Sequence, residues 1–290
     1  MSGQSGSPGG TGLRVCLFGL GEAGGLLATD LVDAGVAVSA YDPAEVPTPA
    51  GVTRRVHPAL AARPVDVVVG ATGGGEARLA LLQAIDAMAP GTLYADVSTS
   101  SPGLKLHLAD EAVQRDLKFV DVALMSMVPG NGLATPALAA GLGAGRLADL
   151  LNPLGARVEP IDGPPGSATA KKLLRSVLMK GTASLLVEAV RAGAAADDLA
   201  WLWNNLADEF DVAGEPWMRR LVAGSRLHAR RRLGEMEAAA AMLETLGIEP
   251  TMTRATVASL TDLVAGAGIP DLPPDLLPPD GPPELSPDQE

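Results

Sequence analysis

The sequence predicts an α/β fold: a doubly wound, mostly parallel sheet over the N-terminal half, followed by an all-α domain. Two observations carry this prediction. From Leu13 to about Asp162, short apolar runs alternate with helix-like stretches, the pattern of a parallel sheet covered by helices. After Gly163-Pro164-Pro165-Gly166 no strand pattern recurs, and apolar residues keep helical spacing to about Gly268.

The strand candidates are residues 13–18, 37–41, 65–69, 93–96, 119–123 and, more weakly patterned, 157–160. Helices are expected to begin near Ala23, Gly75, Leu104 and Ala134. The segment 43–49 holds three prolines and reads as a loop. Residues 168–196 contain no proline and repeat apolar side chains at helical spacing, so one long helix is expected, with Gly181 inside it and Ser167 as its cap. Later helices fall over 197–212, 216–246, with a break near Gly224, and 252–265. The resulting layout is a disordered leader (1–12), a sheet domain (13–165), a helical substrate and dimerisation domain (166–268) and a disordered acidic, proline-rich tail (269–290).

At 290 residues the chain is long enough for two sizeable cores. Only 3% of residues are aromatic, so Ala, Leu and Val must fill most of the interior. A net charge of −12 disfavours nonspecific binding to nucleic acid or to an anionic membrane, which need a cationic surface. Cys16 is the only cysteine, which excludes an internal disulfide and a Cys-based metal cluster; its apolar surroundings predict a buried thiol. No metal site is predicted. Residues 1–10 lack the charged and apolar regions of a signal peptide, and no charge-free apolar run reaches the roughly 18 residues of a membrane span. A cytoplasmic protein is expected.

Between the first two strands stands Gly19-Leu20-Gly21-Glu22-Ala23-Gly24. In a strand-to-helix turn of this spacing, Gly19 permits tight curvature, Gly21 lets the backbone approach a pyrophosphate, and Gly24 lets the helix pack on the strand. The helix N-terminus then offers unpaired N–H groups to the anion. Asp42 lies 21 residues beyond Gly21, where an acid accepts from the adenosine ribose. A Rossmann domain binding NAD is the reading, with NADP possible: Asp42 repels a 2′-phosphate, while Arg54 and Arg55 work against that preference. Thr72 and Gly73, after the third strand candidate, border the nicotinamide half.

Asp96-Val97-Ser98-Thr99-Ser100-Ser101-Pro102 follows a strand at the carboxyl edge, where open sheets bind ligands. Ser98 and Thr99 there can hydrogen-bond a substrate, or the segment is a turn that caps the next helix. Gly166 to Ser176 opens the long helix with Lys171 and Lys172 adjacent, so the two point about 100° apart and only one can face a cleft. A desolvated lysine near the positive end of a helix dipole gives up its proton more readily; the plain alternative is a solvated helix charge. The basic tract at His228, Arg230, Arg231 and Arg232 reads as a charged helix face, the alternative being cations brought to the site from a partner subunit, and Trp201, Trp203 and Trp217 as helix-packing residues, with Trp217 alternatively a pocket wall.

Taken in order, the GxGxxG turn, the acid after the second strand, the Asp-x-Ser-Thr-x-x-Pro segment and the Gly-Ser-x-x-x-x-Lys helix start resemble the β-hydroxyacid dehydrogenase superfamily. That superfamily includes 3-hydroxyisobutyrate and 6-phosphogluconate dehydrogenases and, more distantly, imine reductases. The resemblance spans residues 13–265. It implies that Lys172 is the catalytic acid/base and that the chain forms a homodimer through its helical domain. Two departures stand out: Ser176 where the family commonly has Asn, and Met125-Ser126-Met127 where many members have Ser-Gly-Gly. Met125, Ser126 and Ser176 are therefore substrate-side positions with altered chemistry, as in a subgroup of 6-phosphogluconate-dehydrogenase-like proteins with its own C-terminal helical domain, which the tract from His228 to Ala241 also fits. The implied activity is hydride transfer between nicotinamide and a small hydroxy or carbonyl substrate. The alternatives are imine or enamine reduction, or dinucleotide binding without turnover.

Overall fold

The computed structural model describes residues 11–270. It builds β1 (Arg14–Phe18), α1 (Glu22–Asp33), β2 (Ala37–Tyr41), β3 (Thr53–Arg54), α2 (Pro58–Ala61), β4 (Val67–Gly70), α3 (Ala77–Leu82), β5 (Leu93–Asp96) and α4 (Pro102–Val113). There follow β6 (Lys118–Leu124), β7 (Pro136–Ala140), α5 (Ala144–Leu151) and β8 (Arg157–Pro160). The rest is helical: α6 (Ser167–Ala195), α7 (Leu199–Asp211), α8 (Glu215–Leu227), α9 (Ala229–Thr245) and α10 (Thr251–Val264). The predicted leader, except its last two residues, and the predicted tail beyond residue 270 lie outside the described residues.

The α/β fold class is as predicted. Eight strands form one sheet in the order β3-β2-β1-β4-β5-β6-β7-β8, parallel throughout except between β6 and β7. The chain moves outward from β1 to β3 and then returns to place β4 against β1, so the strand order reverses at that seam. Such a seam opens a crevice at the carboxyl ends of the strands. Alternate residues of β1 enter opposite cores. Val15 and Leu17 pack with α1 and α5, while Cys16 and Phe18 pack with α3 and α4. Burial on both faces is why the strand reads as an unbroken apolar run. Burial also pushes the Cys16 thiol up to about 12 against a lowering contact with Ser39, so it stays neutral.

The helix expected near Ala134 is a correction. Residues 136–140 form β7, antiparallel to β6, and α5 begins only at Ala144. The Ala- and Leu-rich tract has helix propensity, but Pro136 lacks an N–H and its carbonyl accepts from Met125 N at 2.7 Å, while Gly141 at φ +106° turns the chain out of the strand. Sheet pairing outweighs local preference here. The two-residue β3 is too short to leave a periodic signal. The break in 216–246 falls at His228, between α8 and α9, not at Gly224. Ser167 is the first residue of α6 and not its cap.

The described residues divide into two compact units that part after Val177, within α6. In the second unit, Glu188 of α6 caps α10: its carboxylate accepts from Met252 N at 2.7 Å, Thr253 N at 2.8 Å and Thr253 Oγ1 at 2.6 Å. Trp201 and Trp203 do not serve as packing residues, being 66% and 60% exposed, whereas Trp217 sits 6.2 Å from the Phe210 ring. Arg231 pairs with Glu235 and Arg232 donates to Ser225 Oγ at 2.9 Å, a charged helix face. Among the described residues no helix is long and apolar enough to cross a membrane.

Candidate functional site

Gly19 follows β1 at φ +96°, and a Cβ there would stand 2.5 Å from the Ala71 carbonyl oxygen. A Cβ on Gly24 would lie 2.0 Å from Gly19 O. These two glycines let the turn close against β4 and let α1 start beneath it. Gly21 differs: a Cβ there would meet nothing within 4 Å, so the backbone faces open space. Gly21 is also the N-cap of α1 and offers no side-chain cap, leaving the first-turn N–H groups of Glu22, Ala23 and Gly24 aimed out of the turn. Open space before uncapped donors suits a pyrophosphate.

The carboxylate of Asp42 stands beside this turn, accepting from Leu20 N at 2.7 Å and from Ala44 N at 2.8 Å. Each oxygen keeps a further lone pair for a ribose hydroxyl. Arg54, read as an opposing cation, is engaged with the loop itself: its guanidinium donates to the carbonyls of Asp42 at 3.0 Å and Val46 at 2.6 Å, and to that of Ala44. Arg55 is exposed.

Across the seam, Thr72 and Gly73 follow β4, and Thr72 Oγ1 is buried with no hydrogen-bond partner, as is Ser100 Oγ. Orphaned hydroxyls at a ligand edge fit a group that supplies the missing partner. Gly74 joins the two loops, since a Cβ on it would lie 2.2 Å from Thr99 O. Ser98 is 4% exposed; its N–H and Oγ donate to the Asp96 carboxylate, each at 3.0 Å, so the hydroxyl holds the loop. Thr99 faces the other way. Lys172 Nζ donates to Thr99 Oγ1 at 3.1 Å, while Lys171 is exposed, so the structure separates the two lysines.

Ser176 lies one turn beyond Lys172 and is half-buried. Met125 N is taken by the ladder to β7, and Met125 O accepts from Arg175 at 2.7 Å; Ser126 is exposed. Both backbone polar groups of Met125 are thus engaged within the protein, its N–H by the sheet and its carbonyl by Arg175.

Two residues went unnoticed in the sequence, Lys105 and Asp121, which act together with Gly166. Lys105, Asp121 and Gly166 hold the start of α6 in place: Asp121 accepts from Gly166 N and Thr169 N, both at 2.9 Å, and from Thr169 Oγ1 at 2.6 Å. It caps the helix from a neighbouring strand. Lys105, 0% exposed, lies 3.0 Å from Asp96 and 3.5 Å from Asp121. The available signal was an acid inside each apolar strand run and a lysine amid apolar helix positions. Among the described residues no group of three His, Cys, Asp or Glu side chains gathers as metal ligands.

Residues 14–130 match the family described as the NAD binding domain of 6-phosphogluconate dehydrogenase, and residues 195–263 match a domain of unknown function, DUF1932. The chain superposes on an imine reductase from Myxococcus stipitatus in complex with NADP+ (17% identity, 88% of this chain and 96% of that one, TM-score 0.75). It also superposes on the conserved protein MTH1747, which has structural similarity with 3-hydroxyacid dehydrogenases (29%, 87% and 97%, TM-score 0.53). A third is a conserved hypothetical protein from Sinorhizobium meliloti 1021 (25%, 90% and 91%, TM-score 0.56). A search of curated proteins gave no match. Residues 14–130 are thus similar to the NAD binding domain of 6-phosphogluconate dehydrogenase, and residues 195–263, within the helical region, to the DUF1932 domain.

Proposed function

We propose that the protein transfers a hydride between nicotinamide and a small hydroxy or carbonyl substrate, with Lys172 moving the accompanying proton. The observation that carries this reading is the 3.1 Å approach of Lys172 Nζ to Thr99 Oγ1 beside the seam of an NAD-binding sheet. Bound NAD(P) supplies the hydride acceptor or donor. Gly21 and the first turn of α1 hold the pyrophosphate, Asp42 the adenosine ribose, and Thr72 with Gly73 the nicotinamide side. Asp42, with Arg54 tied to loop carbonyls, favours NAD over NADP. Thr99 and Ser176 orient the substrate oxygen, Ser98 keeps Thr99 in place, and Met125 and Ser126 form the far wall. Lys172 takes the hydroxyl proton on oxidation and returns it on reduction, assistance worth about 10²–10⁴-fold.

A second reading, reduction of a C=N bond, is favoured by one observation: Met125 N is committed to the sheet and cannot help seat a hydroxyacid carboxylate. The imine-reductase likeness in fold agrees with it. One experiment tests both. A panel of hydroxyacids, ketones and imines is followed by NADH and NADPH absorbance, with Lys172→Ala as control; normal turnover by that variant would remove Lys172 from the mechanism. Binding of NADH without turnover of any compound would favour a non-catalytic protein.

The same reading includes a homodimer formed through the helical domain. In the second unit Trp201, Trp203 and Val212 are each 60% or more exposed, apolar side chains that a second copy would cover.

A further inference from the structure

We infer that Lys105, buried outside the candidate site, is a positioning residue that sets the meeting of Lys172 with Thr99. The inference rests on the reading of Lys172 as the proton-transfer group. Asp96 and Asp121 are register partners on β5 and β6, so two buried carboxylates lie side by side at the sheet edge. Lys105 Nζ stands between them, donating to Asp96 O at 2.8 Å and lying 3.0 Å from Asp96 Oδ2 and 3.5 Å from Asp121 Oδ1. Its ammonium thus makes one hydrogen bond and two ion pairs.

Each carboxylate governs one half of the site. Asp96 holds Ser98 by both N–H and Oγ, at 3.0 Å, and so fixes the loop that ends in Thr99. Asp121 holds Gly166 N, Thr169 N and Thr169 Oγ1, and so fixes the first turn of α6, with Lys172 projecting from the next turn. Gly166 adds a steric lock: at φ +102°, a Cβ there would lie 2.7 Å from Pro102 O, at the start of the helix that carries Lys105. Removing the ammonium leaves two like charges opposed at close range, and the strand ends that carry the two halves must separate or take up a proton. The ion therefore sets a distance. A merely stabilising ion pair would lower the melting temperature and leave Lys172 where it is.

The test uses the full chain with Lys105→Met and, should that variant not fold, Thr169→Val, which keeps all three ionic groups and removes only the hydroxyl tying α6 to Asp121. The first readout is acylation of Lys172 by an amine-reactive reagent, measured by mass spectrometry relative to exposed Lys171. The second is kcat, with cofactor affinity, for whichever panel compound is turned over. Lys172 acylation relative to Lys171 is expected to rise about threefold, and kcat to fall about tenfold at unchanged cofactor affinity, since misplacement of a reacting group is felt chiefly in kcat. A folded Lys105→Met protein with the wild-type acylation ratio would overturn the inference, as would a wild-type ratio in folded Thr169→Val if Lys105→Met does not fold. If the wild type turns over nothing, the functional reading fails while the acylation ratio still decides the placement.

Discussion

The two units of this chain use apolar side chains in opposite ways. Up to Val177 the sheet buries alternate residues of each central strand in two separate cores, and Val15, Leu17, Val67 and Leu93 have no exposure at all. From Leu178 on, among the described residues, Ala229, Leu243, Pro250 and Leu260 are the only apolar side chains buried, while both Trp201 and Trp203 face outward. A unit that hides so little apolar surface gains little of the roughly 25 cal/mol per Å² that burial contributes. The first unit therefore draws far more on apolar burial than the second.

A shared device sharpens the contrast. Each unit caps a helix with an acid from another element, Asp121 on α6 and Glu188 on α10, each through two backbone N–H groups and a threonine hydroxyl. Asp121 also has a buried lysine partner, whereas Glu188 relies on N–H and O–H donors. Full burial beside a second acid demands a counter-charge; a solitary carboxylate at a helix N-terminus is held by the dipole and its donors.

The largest expected effect tests the first unit. Gly24→Ala sets a Cβ 2.0 Å from Gly19 O, and it should abolish NADH binding in a fluorescence titration and destabilise the sheet unit by about 1–3 kcal/mol. Next comes the second unit. Replacing Trp201 and Trp203 together by Ser should weaken self-association by about 2 kcal/mol or more in sedimentation equilibrium; a wild-type protein that is monomeric at all concentrations would break the comparison.

Gly21→Ala then separates fold from ligand. Because a Cβ there meets nothing, thermal stability should stay within about 0.5 kcal/mol while NADH affinity falls about tenfold. The smallest effect concerns Glu188. Burial pushes its carboxyl up, but the bonds from Thr253 and Met252 win and hold it below the usual range. A depressed folded pKa means the cap contributes fully above the unfolded carboxylate pKa and is lost as pH falls through the folded one. Glu188→Gln should cost about 1 kcal/mol at neutral pH and flatten that acid-side loss in melting curves taken against pH. An unchanged slope would remove Glu188 from the account.

Much of the fold was legible because burial on both faces writes a parallel strand as a plain apolar run, and proline-free helical spacing marks a long helix. Thus β1, β2, β5 and α6 sit within a residue or so of expectation. The failures have a common cause. β7 lies in an Ala- and Leu-rich tract whose strand state comes only from pairing with β6 and β8, the cap of α6 comes from a strand more than forty residues away, and the lysine between the two acids comes from α4, a different element from either acid.

The sequence by itself determined the order of strands and helices apart from β3 and β7, the glycine turn and the candidate acids and lysines, because turn sterics and periodicity act over a few residues. Only the tertiary structure decided that Lys172 and not Lys171 meets Thr99, that Ser98 holds its loop, and that Lys105 stands between Asp96 and Asp121. Those choices depend on which strand ends lie side by side, and strand pairing is a long-range outcome that no local spacing encodes.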